Sequence, residues 1–284
     1  MAQFTNRAQL SYNDQTVNSN VAVGEIPEVI SAAKTALPDT YSANGTVTYV
    51  ISAVNSSSSP ATGISITDDL GGYPFGTETL YPLSYTEGSV RLYINGVLQP
   101  SPAVTAGPPL VLSGITIPAN GSMVLVYDTS VTEFAPLGIG GSILNTATLE
   151  GVGIPGTLTV SETVTPVSEA TLTITKSIEP PVVNEGSRVT YRFVIQNFGS
   201  APADAGANVT VADLFDPILT DLAVALDGVA LVENTDYTYA VTSGQFATVP
   251  GRITVDAANY VQDPVTGTWS IIPAETVLTV TGTI

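Results

Sequence analysis

The sequence predicts an all-β chain: two tandem β-sandwiches, residues 29–167 and 168–284, preceded by a β-hairpin in residues 1–28. Three observations carry this expectation. Of 284 residues, 44% are hydrophobic and only 11% charged, and Thr, Val, Gly, Pro and Ser dominate the remainder, a strand-and-turn composition. Short segments of alternating polarity are separated by turn signals, with no sustained 3.6-residue period. One such pattern occurs twice. Repeats of this size built from short alternating strands indicate Ig-like sandwiches.

The elements of the repeat can be justified in order. Lys34-Thr35-Ala36-Leu37-Pro38 leads to Val47-Thr48-Tyr49 and Asn55; Lys176-Ser177-Ile178-Glu179-Pro180 leads to Val189-Thr190-Tyr191 and Asn197. The offset is 142 at each step (34 to 176, 49 to 191, 55 to 197). Next, Ile64-Ser65-Ile66-Thr67-Asp68 matches Val209-Thr210-Val211-Ala212-Asp213. Hairpins are expected at Asn95-Gly96 and Asp227-Gly228, dipeptides that favour the left-handed backbone of tight turns. Val124-Leu125-Val126 then matches Val277-Leu278-Thr279, so Ile284 corresponds to Val131. Short linkers are expected near Glu25-Ile26-Pro27 and Pro166-Val167-Ser168.

The first copy continues with two more strands, Ile143–Leu149 and Thr157–Ser161. The second copy has no such continuation, but the N-terminus resembles it. Phe4-Thr5-Asn6-Arg7-Ala8-Gln9-Leu10 matches Ile143–Leu149, and Thr16–Val21 follows as a second strand. The expectation is that the second sandwich is incomplete and that residues 1–28 of a neighbouring molecule complete it. An open sheet edge is otherwise a liability.

Side chains alternate between the two faces of a strand. One face reads Ile30, Ala32, Lys34, Ala36, and its counterpart Leu172, Ile174, Lys176, Ile178. Ile64, Ile66, Asp68, Leu70 correspond to Val209, Val211, Asp213, Phe215, and Ile143, Asn145, Ala147, Leu149 to Phe4, Asn6, Ala8, Leu10. Each repeat is thus expected to place a Lys, an Asp and an Asn on its core face. A buried charge must be paired or neutralised. Two outcomes are open: a buried ion pair with an Asn hydrogen bond, or a reaction. Burial favours the neutral forms of amine and carboxyl. A neutral lysine can attack the Asn carbonyl while the Asp shuttles protons, expelling ammonia and leaving an isopeptide bond.

The Lys-containing first strand, the Val-Thr-Tyr strand, the Asp strand and the Asn-Thr-Ala strand resemble the Ig-like conserved repeat of bacterial and archaeal surface proteins. The trio also resembles that of the self-crosslinking Ig-like domains of Gram-positive pilins and adhesins. That resemblance implies autocatalytic isopeptide bonds: Lys34–Asn145 within a molecule with Asp68 as catalyst, and Lys176–Asn6 between molecules with Asp213. Phe4, Ala8, Leu10 and Tyr12 would be the donor-strand contacts. No Leu-Pro-x-Thr-Gly sorting motif is present.

Other functions are disfavoured. A net charge of −18, from 25 acids against 7 bases, argues against nucleic acid and anionic membrane surfaces. Cys and His are absent, which removes disulfides, thiolate metal sites and the commonest general base. No calcium-loop pattern occurs, and no metal or other cofactor is expected. Residues 1–7 lack the apolar core of a secretory signal, and no apolar run is long enough for membrane insertion. The expected function is a head-to-tail homopolymer in an extracellular or spore-surface fibre, reached without a classical signal peptide. The alternatives are a monomeric surface adhesin or glycan-binding module and, last, a glycoside hydrolase using paired carboxylates. Turnover catalysis is not expected.

Overall fold

The computed structural model describes residues 2–26 and 29–284. It is all-β, with several antiparallel sheets and one isolated parallel bridge, Glu233 to Tyr237, among the described residues. The only helical element among the described residues is a single 3-10 turn, Ala205–Ala207. The chain divides into two compact units, Met1–Thr132 with Ile143–Val164, and Glu133–Ser142 with Thr165–Ile284. The expected linker at Pro166-Val167-Ser168 falls within the second of these units. Pro27, at the end of the other expected linker, lies outside the described residues.

The first unit is a sandwich of two six-stranded sheets. One sheet runs Val97–Gln99, Arg91–Ile94, Ser122–Val131, Thr46–Asn55, Ile30–Leu37, with Leu83–Tyr85 also on Ser122–Val131. The other runs Ala103–Thr105, Leu110–Ile117, Ala61–Asp68, Ile143–Val152, Leu158–Pro166, Thr40–Tyr41. Strand alternation builds the core between them. Val47, Tyr49, Ile51 and Ala53 are buried on one face of their strand, and Ile64, Ile66, Leu110, Leu112 and Leu149 are buried on the facing sheet. Asn95 and Gly96 both adopt positive φ, 51° and 77°, closing the expected hairpin between Arg91–Ile94 and Val97–Gln99.

The second unit reproduces the five-strand path of the first sheet, without a separate counterpart of Leu83–Tyr85: Leu172–Glu179, Arg188–Asn197, Ala274–Thr283, Thr220–Leu226, Val229–Ala230. Asp227 and Gly228 again take positive φ, 47° and 79°. Its other sheet is reduced to Ala212–Leu214, Gln245–Thr248 and Tyr237–Ala240. Among the described residues, this unit has no strand in the places that Ile143–Val152 and Leu158–Pro166 occupy in the first. The Asp68 strand is paired on both edges, with Leu110–Ile117 and Ile143–Val152. The Asp213 strand is paired on one, with Gln245–Thr248. The expected strand Val209–Asp213 shortens accordingly. Regular pairing begins only at Ala212; Val209 O accepts one hydrogen bond from Gly251 N, and Val211 makes two with Thr248, its carbonyl accepting from the amide and its amide donating to the hydroxyl. With one neighbour instead of two, a ladder is less constrained to stay regular.

Residues 2–26 form a hairpin in two pieces, Ala2–Asn6 on Ala22–Ile26 and Gln9–Tyr12 on Gln15–Asn18. Asn13 and Asp14, at φ 44° and 65°, make its turn. The second strand therefore reaches further than the expected Thr16–Val21 and is interrupted at 19–21. Three residues separate Asn18 from Ala22 while two separate Asn6 from Gln9, which is the count of a β-bulge. Ser19 fastens the bulge: its amide donates to Ala8 O at 2.8 Å, and its hydroxyl accepts from Ala8 N at 2.9 Å. The Phe4 ring lies over Gly24, where an added Cβ would come within 2.3 Å of the ring and push it aside. None of these strands pairs with any other described strand. A two-stranded hairpin is marginally stable by itself, and this one leaves Phe4, Leu10 and Tyr12 56%, 63% and 51% exposed.

One polar device recurs in both units. Asn55 Nδ2 donates to the carbonyls of Ser59, Ile117 and Pro118, and its Oδ1 accepts from Ser57. Asn197 Nδ2 donates to Ala201 and Asp256, and its Oδ1 accepts from Thr171 and Gly199. Both side chains are fully buried, which excludes Asn55-Ser56-Ser57 as a usable glycosylation site. Asn197→Ala leaves four backbone groups without partners. At about 1 kcal/mol for each, it should cost about 4 kcal/mol of the second unit's stability, measurable by urea unfolding.

Candidate functional site

The first unit assembles the predicted trio. Ile30–Leu37 is a sheet edge whose inner face carries Lys34, and Asp68 ends the central strand of the facing sheet. Lys34 Nζ donates to Asp68 Oδ2 at 2.6 Å, with both side chains sealed from solvent, 0% and 1% exposed. Tyr127, on the central strand of the first sheet, donates its hydroxyl to the same oxygen, and Leu70 N donates to Oδ1 at 2.9 Å. The Lys34 ammonium also stands 4.8 Å above the Tyr49 ring, which stacks with Tyr127 at 5.8 Å. Burial pulls the lysine below its ordinary range, with Asp68 opposing that shift and Asp69 and Glu162 adding smaller opposition. Burial, followed by the nearby Asp68 charge, holds the Tyr127 phenol firmly protonated.

Asn145 lies on Ile143–Val152, two residues before Ala147, the register partner of Asp68. It is fully buried and sits beside the hydroxyls of Tyr49 and Tyr127. Neither its Nδ2 nor its Oδ1 makes a hydrogen bond of standard geometry, and the Tyr49 hydroxyl makes none either. Buried polar groups are nearly always satisfied, and each orphan costs about 1–3 kcal/mol. Asn145 is thus held between two tyrosine hydroxyls without standard hydrogen-bond geometry, beside a buried ion pair, which suits a reaction at the amide.

The second unit assembles two of the three residues. Lys176 pairs with Asp213, and its ammonium lies over the rings of Tyr191, Phe193 and Phe215 at 4.6, 5.4 and 5.4 Å. Asp213 Oδ1 accepts from Leu214 N at 2.9 Å. Here the side chains are 41% and 17% exposed. The strand face expected to point into a core is open over much of its length: Leu172 and Ile174 are exposed, whereas their counterparts Ile30 and Ala32 are buried and half-buried, and Ile178 at the strand's end packs against the second core. Among the described residues, the unit contributes no asparagine equivalent to Asn145. Asn6, the residue matched to it, lies exposed on the hairpin at the end of Ala2–Asn6, beside exposed Phe4, Ala8, Leu10 and Tyr12.

Sequence reasoning identified the lysines, aspartates and asparagines but assigned no role to the tyrosines. Tyr49 and Tyr191 were visible in the repeated Val-Thr-Tyr segment, at strand positions of the parity that faces inward. Tyr127 had no such signal, because Val280 occupies its place in the second copy. Among the described residues, no cluster of His, Cys, Asp and Glu could hold a metal ion, and no helix is long and apolar enough to cross a membrane.

No family model matches the chain, and no curated protein matches it either. Among solved structures, the chain is similar at low identity to subunits of Gram-positive pili. The pilus backbone RrgB of Streptococcus pneumoniae is 10% identical over 86% of this chain and 55% of that one, with a TM-score of 0.36. The major pilin subunit BcpA of Bacillus cereus is 12% identical over 96% and 73%, at 0.37. The major pilin SpaD of Corynebacterium diphtheriae is 14% identical over 86% and 59%, at 0.36. The chain thus spans little more than half the length of the first and third.

Proposed function

We propose that this chain is a structural subunit of an extracellular or spore-surface filament, built head to tail from two Ig-like domains. The N-terminal hairpin of one molecule completes the second domain of the next. One observation carries the reading. Among the described residues, the second unit has no strands in the places where the first has Ile143–Val152 and Leu158–Pro166, while a hairpin of matching residues pairs with no other described strand and leaves its apolar side chains exposed. Donor strands bind by main-chain hydrogen bonds on a sheet edge and by side chains that fill pockets. By the register of the first unit, Ala8 would face Asp213 as Ala147 faces Asp68, which brings Asn6 to Lys176. A heterologous contact of this kind propagates into an open filament unless it closes into a ring.

In the same reading, both trios crosslink. The Lys34 amine attacks Asn145 Cγ, Asp68 carries the surplus amine proton to Nδ2, and ammonia leaves as the C–Nδ2 bond breaks. The orphaned Asn145 amide and the weakened hold of Lys34 on its proton support this. Lys176, Asp213 and Asn6 of the neighbouring molecule would repeat the step across the junction. The chemistry is single-turnover and does not make the protein an enzyme.

Purified protein should scatter light increasingly with concentration and show filaments by electron microscopy. Monomers at micromolar concentration would overturn the polymer and favour a surface adhesin. Intact mass reads the crosslink separately. The wild-type first unit should be lighter than its sequence mass by one ammonia, and Lys34→Ala should restore the full mass while leaving filaments intact.

A further inference from the structure

The two centres share one group that has no assigned role. Tyr49 and Tyr191 occupy the same repeat position, beneath Lys34 at 4.8 Å and Lys176 at 4.6 Å. The Tyr49 hydroxyl is buried and interacts with the Asn145 amide outside standard hydrogen-bond geometry, and the Asn145 oxygen makes no standard hydrogen bond of its own. The other hydroxyl beside Asn145, that of Tyr127, is committed to Asp68 Oδ2. The second unit has Val280 in its place. Tyr49 and Tyr191 are therefore the hydroxyls available to both centres.

We infer that the hydroxyls of Tyr49 and Tyr191 are catalytic groups of the crosslinking reaction, donating to the asparagine oxygen as it becomes an oxyanion. The inference rests on the crosslinking reading above. When the Lys34 nitrogen bonds to Cγ, the carbonyl π pair moves onto Oδ1. A fixed donor in a dry site stabilises that charge without reorganisation. Tyr49 keeps its proton throughout, because burial makes the phenol harder to ionise. The surplus proton of the amine passes through Asp68 to Nδ2, ammonia departs, and the carbonyl re-forms as the isopeptide. A donor and an acceptor that make no standard hydrogen bond before the reaction are thus paired at its highest point.

Tyr49→Phe keeps the ring under Lys34 and removes only the hydroxyl. Wild-type and variant chains are unfolded, refolded and followed by intact mass, using molecules that have not yet lost ammonia. Such molecules are obtained by synthesis or by rapid isolation. The variant should lose ammonia about a hundredfold more slowly, the effect of removing one oxyanion donor. A structural role is separated by placing Tyr49→Phe in an Asn145→Ala background, where the unfolding midpoint should not fall. Tyr191→Phe is the second arm: filaments should still form, while the detergent-resistant ladder appears about a hundredfold more slowly. Ammonia loss at the wild-type rate in Tyr49→Phe overturns the tyrosine role alone. A wild-type mass equal to the sequence mass overturns the crosslink and this inference together.

Discussion

Filaments of the wild-type chain should survive boiling in detergent and run as a ladder, and Asn6→Ala should reduce them to monomers under the same treatment. The reason lies in what each part of the hairpin does. Phe4, Ala8, Leu10 and Tyr12 offer burial, and the backbone offers hydrogen bonds to the open edge of the Asp213 strand. None of this requires Asn6, so the variant should still assemble at room temperature. Heat and detergent abolish burial and hydrogen bonds but leave an amide bond intact. Asp213→Ala should give the same dissociating filaments, since it removes the proton relay. It carries an added penalty of about 3–5 kcal/mol once the donor seals an unpaired Lys176. Wild-type filaments that fall to monomer in hot detergent would reject the bond at the junction. Donor-strand assembly could then stand on burial and hydrogen bonds alone.

Deleting residues 1–28 should abolish polymerisation. The open face of the second unit, with Leu172, Ile174 and Lys176 exposed, would then have nothing to cover it. Burying Phe4, Leu10 and Tyr12 is worth about 1.5–3 kcal/mol each, before the edge hydrogen bonds are counted, so assembly should fall below detection at micromolar concentration. Moving residues 1–28 to follow Ile284 should instead give a closed monomer. A tethered donor reaches an effective concentration on the order of millimolar, and lengthening a loop adds entropy cost only logarithmically. Sedimentation velocity reads both variants. Filaments from the truncated chain would sink hairpin donation.

Much of this arrangement was legible in the amino-acid order because strand parity is local. A side chain two residues along a strand returns to the same face, so the 142-residue offset carried Lys34 onto Lys176 and Tyr49 onto Tyr191 without knowledge of any contact. The same parity aligned Asn6 with Asn145. Turn chemistry is equally local: Asn95-Gly96 and Asp227-Gly228 announced hairpins because few other pairs tolerate two positive φ angles. The interruption at 19–21 was not legible, since a bulge depends on how two strands count against each other.

By itself, the sequence determined that the chain is β-rich, that it contains one repeat twice, and that Lys, Asp and Asn belong to inner faces. Only the tertiary structure decided how those residues live. Lys34 and Lys176 sit in matching strands, yet one is sealed and the other is 41% exposed, because desolvation is a property of what covers a residue. Tyr127 reaches Asp68 across 59 positions of chain, through the facing of two sheets that no local pattern encodes. The orphaned amide of Asn145 is likewise a fact about everything around it. Hydrogen-bond satisfaction is settled jointly by all the strands that close a core, and the described residues of the second unit place no strand at two of those positions.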